Sequence, residues 1–455
     1  MLHPGSFRDP DGFVFLDEGI SLRQINPAYR LHYDQLMSSG LYQTLVSENL
    51  LIPHEELDLS RAHSKDAYKI IKPGQISFIS YPHEWSFSQI RDAALLTLGV
   101  QKRALAYGMS LKDANAANVQ FQNGAPVFID TLSFEKYEEG DPWIAYRQFC
   151  QHFLAPLALM SYKDSRLAGL LRVHLDGIPL DLASNLLPLK SRLNLGLLLH
   201  IHFHAGMQRR YQNSTLSIPA RKKMRPASLL GLIDHLETVV RNLKWLPQKT
   251  AWSGYDQDCH YGPSSLLEKE RAVSRYLLQI NSKLVWDIGA NTGRFSRIAA
   301  RQGALVISMD ADPAAVEKNY LQCKTESERR ILPLCLDITN PSAGLGWDGR
   351  ERLSLWERPL PDTVLALALV HHLAIGENIP LDKVAETFAK ICSYLIIEFI
   401  PKTDPKVRQL LVSRPDIFSG YDQASFERTF QSLFSILKHT PVTDSGRILY
   451  LMKKN

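Results

Sequence analysis

Residues 284–297 read LVWDIGANTGRFSR. An apolar run ends at an acidic residue, a loop with two glycines follows, and an amphipathic stretch begins after the second glycine. This order predicts a buried strand that passes through a tight loop into a helix. In open parallel sheets ligands bind at such loops, and glycine lets a ligand approach the backbone closely. The stretch therefore predicts a ligand site on an α/β domain in the C-terminal part of the chain.

The segments that follow residue 284 alternate between strand-like and helix-like patterns. The apolar runs are KLVWDIG, ALVISMD, ILPLCLD, TVLALALV and YLIIEFI. This alternation predicts a doubly wound, Rossmann-like parallel sheet with crossover helices. The last segment, FSILKHTPVTDSGRILYLMKK, contains two strand patterns around a short polar turn and predicts an antiparallel pair.

The spacing of the loop argues against a phosphate ligand. A P-loop has Lys and Ser or Thr after its last glycine, whereas Arg294 and Phe295 follow Gly293. A dinucleotide loop has the pattern GxGxxG, which the glycines at 289 and 293 do not fit. A loop without any ligand remains the simpler alternative.

S-adenosylmethionine is a ligand without phosphate, and acidic residues at three successive strand ends suit its groups. Asp287 can face the amino group and the sulfonium, Asp310 can accept hydrogen bonds from the ribose diol, and Asp337 can reach the adenine amino group. Three acids in this arrangement favour a ligand site over an empty turn.

The segment 255–455 resembles the class I S-adenosylmethionine-dependent methyltransferases. The matching stretches are DIGANTG, ISMDADP, LCLDIT, TVLALALVHHL and LIIEFIP. A closer similarity is to bacterial nodulation-related methyltransferases, which also pair VHHL with a segment like EFIPKTDP. The resemblance implies S-adenosylmethionine as cofactor, with contacts from Asp287, Gly289, Asn291, Gly293, Asp310, Asp312 and Asp337.

Candidate catalytic residues follow the fourth and fifth strands of the sheet. His371 and His372 stand where the acceptor lies in this fold, and either could act as a base or position the acceptor. Glu398 is a further candidate, and strand capping is the alternative for both histidines. Upstream, Tyr255, Tyr261 and Lys269 could cover the cofactor, or could belong to a linker.

The stretch LKDANAANVQFQNGAPVFIDT at 111–131 carries a second constellation. Its Asp113, Asn118 and Asp130 resemble the catalytic loop and metal-binding strand of protein-kinase-like phosphotransferases, which implies ATP and Mg²⁺. Arg23 could stand where that family has its nucleotide-binding lysine. The stretch departs from the family because it has no glycine-rich loop, no histidine at 111 and no Phe-Gly after Asp130. Turn formation is the alternative for Asp113 and Asn118.

The N-terminal part predicts a domain of mixed composition. We expect an α+β region at 1–140, a mainly helical continuation at 141–254, and the methyltransferase domain at 255–455. GFVFLDEGISLRQI predicts a hairpin, and AYKIIKP and ISFISYP predict two further strands.

Bulk composition predicts a cytoplasmic protein. The 52 Lys and Arg exceed the 47 Asp and Glu by five, which permits nucleic acid as a partner but does not indicate it. The chain has five scattered cysteines, no signal-peptide pattern and no apolar run long enough to span a bilayer, so no membrane partner is expected.

The sequence therefore predicts methyl transfer to an oxygen or nitrogen of a small molecule, glycan, protein or RNA. The N-terminal domain would recognise the substrate or regulate the reaction. Two alternatives stay open: a kinase-like or bifunctional enzyme that uses ATP and Mg²⁺, and a non-catalytic module that senses the cofactor.

Overall fold

The chain forms two units in the computed structural model, which describes residues 2–206, 223–245, 263–412, 415–443 and 445–455. The first unit is Met1–Pro247 with Gly344–Leu353, and the second is Gln248–Ala343 with Ser354–Asn455. Tyr255 and Tyr261, which we predicted to cover the cofactor, lie outside the described residues. Within those residues no helix is both long and apolar enough to cross a membrane.

The described residues of the first unit include eight strands in three small sheets. A four-stranded antiparallel sheet has the order β1-β2-β4-β3, and the pairs β5-β8 and β6-β7 are also antiparallel. The strands are β1 Gly12–Asp17, β2 Ile20–Ile25, β3 His54–Leu57, β4 Lys69–Pro73, β5 Met109–Leu111, β6 Val119–Gln122, β7 Ala125–Phe128 and β8 Phe134–Lys136.

Helices make up most of the rest of the first unit. Its α-helices are Arg30–Ser38, Leu41–Ser47, Phe87–Ala106, Tyr146–Phe149, Ala155–Tyr162, Leu170–Val173, Leu180–Leu186, Leu195–Leu197 and Pro226–Asn242. Wider π-type turns run through Cys150–Leu154 and Leu198–Phe203. Short 3-10 turns lie at Pro27–Tyr29, Leu59–Arg61, Pro82–Glu84, Ala116–Asn118, Thr131–Ser133, Ser165–Gly169, Leu189–Leu193 and Trp347–Gly349.

The predicted N-terminal hairpin is confirmed, but one predicted strand is wrong. Glu18 and Gly19 both have positive φ, as a two-residue hairpin turn between β1 and β2 requires. The stretch ISFISYP is irregular. The backbone of Ser80 in this stretch bonds to the Gln120 side chain, whereas in a strand it would bond to the backbone of a neighbouring strand. Its amide oxygen accepts from the Ser80 N–H at 2.9 Å, and its amide nitrogen donates to the Ser80 carbonyl at 3.0 Å.

The second unit is built on a seven-stranded sheet of order β11-β10-β9-β12-β13-β15-β14. The first five strands are mutually parallel, and β15 runs antiparallel to both β13 and β14. This agrees with the predicted parallel sheet and its antiparallel terminal pair. The strands are β9 Leu284–Ile288, β10 Leu305–Asp310, β11 Ile331–Cys335, β12 Thr363–Ala366, β13 Tyr394–Phe399, β14 Phe434–Pro441 and β15 Ile448–Lys454.

Helices cover the sheet because its strands are apolar on both faces. The buried core includes Val285, Val306, Leu365, Ile396 and Leu451 from five different strands. The α-helices are Pro263–Ile280, Arg294–Arg301, Pro313–Thr325, Leu381–Ile391, Pro405–Leu411 and Gln423–Gln431, with a π-type turn at His372–Gly376 and a 3-10 turn at Leu355–Glu357.

The strand order reverses next to β9, and this reversal positions the site. β9 pairs with β10 on one side and with β12 on the other, and the crossovers leave in opposite directions from these two neighbours. A crevice therefore opens outside the carboxyl ends of β9 and β12, where ligands bind in sheets of this kind.

Candidate functional site

The glycine loop after β9 is bound to the end of β10. The N–H groups of Gly289 and Ala290 donate to the Met309 carbonyl at 2.9 and 3.0 Å. Gly289, Asn291 and Gly293 all have positive φ, between 51° and 81°. A β-carbon on Gly293 would lie 2.4 Å from the Asn319 Oδ1, so both the backbone conformation and the packing require glycine there. The loop is consequently a fixed backbone cradle beside the crevice.

Asp310 lies half-buried at the end of β10, directly against this loop. Its two oxygens accept hydrogen bonds from the backbone N–H groups of Asn291 and Asp312, each at 2.8 Å. Burial raises the pKa of the Asp310 carboxyl to about 6, with the charges of Asp312 and Asp337 adding to the rise. The backbone bonds fix the orientation of the carboxyl group, which can accept hydrogen bonds from a diol.

Asp287 is buried at the end of β9, where its Oδ2 accepts a hydrogen bond from the Ser296 hydroxyl at 2.6 Å. Burial raises the pKa of Asp287 to about 6, and the charge of Asp310 contributes in the same direction. A cationic ligand would stabilise the ionised forms of these two carboxyl groups, which lie at adjacent strand ends and have raised pKa values.

Asp312 and Asp337 are more strongly engaged in local structure than the sequence predicted. Asp312 is buried and caps the helix Pro313–Thr325 by accepting from the Ala314 N–H at 2.9 Å. Asp337 is exposed, and its Oδ1 accepts from the Thr339 backbone and hydroxyl at 2.8 and 2.7 Å. These bonds favour a structural role for Asp312, whereas Asp337 stays near enough to act on the pKa of Asp310.

His371 is completely buried just beyond β12, and both of its ring nitrogens lack a hydrogen-bond partner among the described residues. Burial lowers the pKa of His371 well below its usual value, and His372, Arg447 and Lys269 add to this effect. His372 is half-buried with its ring centre 4.0 Å from that of His371, and burial lowers its pKa to about 4. Both imidazoles are therefore neutral near neutral pH.

Glu398 is buried at the end of β13, where Lys269, Ala368 and Arg447 lie against its carboxylate. Its Oε2 accepts from the Lys269 ammonium at 2.7 Å and from the Ala368 N–H at 2.8 Å, and its Oε1 lies 4.0 Å from an Arg447 nitrogen. The Arg447 guanidinium also donates to Asp404 at 2.7 Å. These contacts occupy the Glu398 carboxylate and favour a positioning role over the catalytic role predicted for it.

Lys269 is buried in an ion pair, which argues against the covering role predicted for it. Its side chain is only 3% exposed, and its ammonium lies 4.9 Å from the centre of the Phe295 ring as well as beside Glu398. Sequence reasoning missed this buried ion pair because its partners are 129 residues apart and because lysine is usually exposed. It also missed Arg447, which no motif distinguishes from an ordinary strand-edge arginine.

Ala368 connects Glu398 to the histidines. Its φ of 50° is unusual for a residue with a β-carbon, and its N–H bond to Glu398 helps to hold that conformation. The chain thereby turns sharply after β12 and leads directly into His371. The buried charges thus fix the direction in which the histidine segment leaves the sheet.

Asp113, Asn118 and Asp130 lie close together in the first unit. Burial and the charge of Asp130 raise the pKa of Asp113, while hydrogen bonds from Asn118 and Gln148 partly oppose the rise. The Asn118 amide also donates to the Ser133 hydroxyl at 3.2 Å, and that hydroxyl donates to Asp130. The spacing thus predicted a true cluster, although turn formation by Asp113 onto the Asn115 N–H is present as well.

The features that a phosphotransferase would need are not evident in this cluster. Arg23 on β2 forms an ion pair with Asp130, the carboxylate predicted to bind metal. Burial alone would raise the pKa of Asp130, but Arg23 and Ser133 bring it below its ordinary value. Because the Arg23 ion pair occupies the Asp130 carboxylate, the structure gives no support to ATP and Mg²⁺ as ligands of this cluster.

The strand order, the reversed last strand and the glycine loop define the second unit as a class I S-adenosylmethionine-dependent methyltransferase fold. Along nearly its whole length the chain is 32% identical to nodulation protein NoeA of Rhizobium meliloti strain 1021, over 458 residues that cover 99% of this chain and 96% of the relative. The chain belongs to the family of nodulation protein NoeA. No protein-family model matches it.

Solved methyltransferases show more distant similarity. The N-methyltransferase NodS of Bradyrhizobium japonicum WM9 is 12% identical, with a TM-score of 0.32 over 42% of this chain and 97% of NodS. The magnesium protoporphyrin IX methyltransferase ChlM of Synechocystis PCC 6803 is 16% identical, with a TM-score of 0.32 over 42% of this chain and 84% of ChlM. At these values the fold assignment rests on the strand order of the sheet itself.

Proposed function

We propose that the second unit binds S-adenosylmethionine at the carboxyl ends of β9, β10 and β11 and transfers its methyl group to an oxygen or nitrogen of an acceptor near His371. The observation that carries this proposal is the meeting of the 289–293 loop with the fixed Asp310 carboxyl at the point where strand order reverses. Membership of the NoeA family supports a role of this reaction in nodulation.

The residues at this edge fit the cofactor better than they fit a nucleotide. Asp310 would accept hydrogen bonds from the ribose diol, Asp287 would face the cationic methionine end, and Asp337 would approach the adenine amino group. The loop lacks the Lys-Ser/Thr pair with which a P-loop binds phosphates. When bound, S-adenosylmethionine supplies an electrophilic methyl group on a sulfonium.

His371 is best suited to orient an uncharged acceptor group. A neutral imidazole offers one accepting nitrogen and one N–H donor, and both positions of His371 are unfilled. A hydroxyl or amino group of the acceptor can donate to the free nitrogen, which aims its lone pair at the methyl carbon. The lowered pKa makes His371 a weak base, so we assign it to alignment of the acceptor and not to complete proton removal.

The buried ion pairs act on the acceptor side through Ala368. Lys269 and Arg447 pair with Glu398 and Asp404, so these four buried charges near His371 compensate one another. An environment of that kind favours a neutral acceptor group over a carboxylate or an ammonium. The first unit would recognise the remainder of the acceptor or regulate the reaction.

Methyl-labelled S-adenosylmethionine tests the proposed activity. The purified full chain, incubated with labelled cofactor and a bacterial lysate, is expected to yield a labelled product that Asp310→Ala does not form. If the wild-type chain binds the cofactor but labels nothing above lysate alone, the alternative of a cofactor-sensing module replaces the proposal. Equal labelling by both chains would place the cofactor elsewhere.

A further inference from the structure

The helical segment that ends the first unit's leucine-rich region has its polar side inward. The α-helical turn Leu195–Leu197 continues into the π-type turn Leu198–Phe203. On the inner side, His200 bonds to the Tyr146 hydroxyl at 2.7 Å, and His202 lies between Ser184 and Ser191 at 2.8 and 2.9 Å. These buried hydrogen bonds fix which side of the segment faces the solvent.

The exposed large side chains of the same segment are apolar, and two leucines of the preceding 3-10 turn Leu189–Leu193 are exposed as well. We define the leucine face as six exposed side chains: Leu189 at 78%, Leu193 at 88%, Leu195 at 62%, Leu198 at 37%, Leu199 at 43% and Phe203 at 59%. A helix on the surface of a globular protein normally turns its polar residues outward, so this arrangement is inverted. A contiguous exposed apolar patch marks a contact site for a partner.

The charged residues within the stretch that carries the leucine face have one sign. From Leu182 through Gly206 the sequence contains Lys190 and Arg192 and no Asp or Glu. Lys190 and Arg192 are exposed within the face itself, between Leu189 and Leu193. An occupant of this surface must therefore offer both an apolar layer and negative charge.

We propose that the leucine face docks this protein onto the surface of an anionic lipid bilayer. Leucine and phenylalanine side chains can enter the boundary between headgroups and acyl chains, while Lys190 and Arg192 contact the anionic headgroups. A second copy fits poorly, because a symmetric contact would bring the cations of both copies together without a carboxylate. Nucleic acid would leave the leucines without a role, since phosphate contacts come from cations and polar groups.

Surface docking requires no membrane-spanning segment. The sequence predicts no membrane partner because it has no apolar run of spanning length. The leucine face would contact only the surface of a bilayer, and such a contact needs no run of that length. This inference is independent of the proposed methyl transfer, because it uses only residues of the first unit.

Vesicle flotation with the full chain tests the proposal. Wild-type protein should float with vesicles made of equal parts phosphatidylcholine and phosphatidylglycerol, and much less with phosphatidylcholine alone. Leu193→Ser/Leu199→Ser should lower the partition coefficient on the mixed vesicles by about tenfold or more, because the apolar contribution is lost. Lys190→Glu/Arg192→Glu should remove the preference for the anionic vesicles.

A matched control uses exposed leucines elsewhere on the first unit. Leu31 is 81% exposed and Leu59 is 51% exposed, so Leu31→Ser/Leu59→Ser changes the same chemistry outside the leucine face. This variant should float like wild type, and all variants should share its thermal unfolding midpoint. The proposal is overturned if wild type stays unbound on the mixed vesicles, or if both leucine variants bind equally. Concentration-dependent dimerisation that only Leu193→Ser/Leu199→Ser abolishes, without vesicle binding, would assign the face to a second copy.

Discussion

At the scale of single residues, the site depends on side chains whose pKa values are shifted by burial. The carboxyl groups of Asp287 and Asp310 both have pKa values raised to about 6. Their folded pKa exceeds the unfolded value, so the folded chain holds more protons between about pH 4 and pH 6 and loses stability as pH rises through that window. A cationic ligand reverses this effect, because it favours the ionised carboxylates.

His371 provides the sharpest residue-scale prediction. In His371→Leu the acceptor loses its hydrogen-bond partner, so we expect kcat to fall about 10- to 100-fold while the dissociation constant for S-adenosylmethionine stays unchanged. His371→Gln retains one donor and one acceptor and should recover part of the loss. Steady-state kinetics of methyl transfer and calorimetric binding separate the two effects. Equal activity in His371→Leu and wild type would exclude the alignment role.

At the scale of elements, the loop after β9 requires glycine for two separable reasons. Gly293 and Gly303 both have positive φ, at 81° and 96°, but only a β-carbon at Gly293 would overlap with a side chain, that of Asn319. Gly293→Ala should destabilise the chain by about 3 kcal/mol, and Gly303→Ala by about 1 kcal/mol, since the second change adds backbone strain alone. Thermal unfolding of the two variants measures the difference, and identical midpoints would contradict the packing at Asn319.

The contact between the helix Pro263–Ile280 and β13 includes a buried ion pair. Lys269→Met leaves Glu398 without its nearest cation, which should destabilise the chain by about 3 to 5 kcal/mol. Lys269→Met/Glu398→Gln removes the charge as well and should be less destabilised than the single variant. The exposed pair Lys383–Glu386 serves as control, because Lys383→Met should change stability by less than about 1 kcal/mol. A double variant that melts below Lys269→Met would refute this account.

At the scale of the whole molecule, the sequence predicts the second unit better than the first. Strands of a parallel sheet are buried on both faces and appear as continuous apolar runs, and the loop residues sit at fixed positions after them. The first unit has short strands, and some of its backbone groups bond to side chains that are distant in sequence. At Ser80, for example, the backbone bonds to the Gln120 side chain and not to a neighbouring strand. No local pattern reports such a contact.

The roles of individual site residues were predictable only where the backbone determines them. Glycine at 289 and 293 and the acid at 310 follow from loop and strand geometry. The engagement of Glu398 by Lys269 depends on packing between distant segments, and the outward position of Leu199 and Phe203 depends on the π-type turn that begins at Leu198. Neither is encoded in spacing along the chain.

Calorimetric titration of the full chain with S-adenosylmethionine, at about pH 5 and about pH 7, tests the central claim most directly. We predict one site per chain, with roughly tenfold tighter binding at the higher pH because the carboxyl groups at 287 and 310 become ionised. Asp310→Asn should weaken binding at about pH 7 and flatten this pH dependence, because it removes one of the two carboxyl groups with raised pKa. No binding by the wild-type chain, or unchanged binding by Asp310→Asn, would contradict a cofactor site at this edge of the sheet.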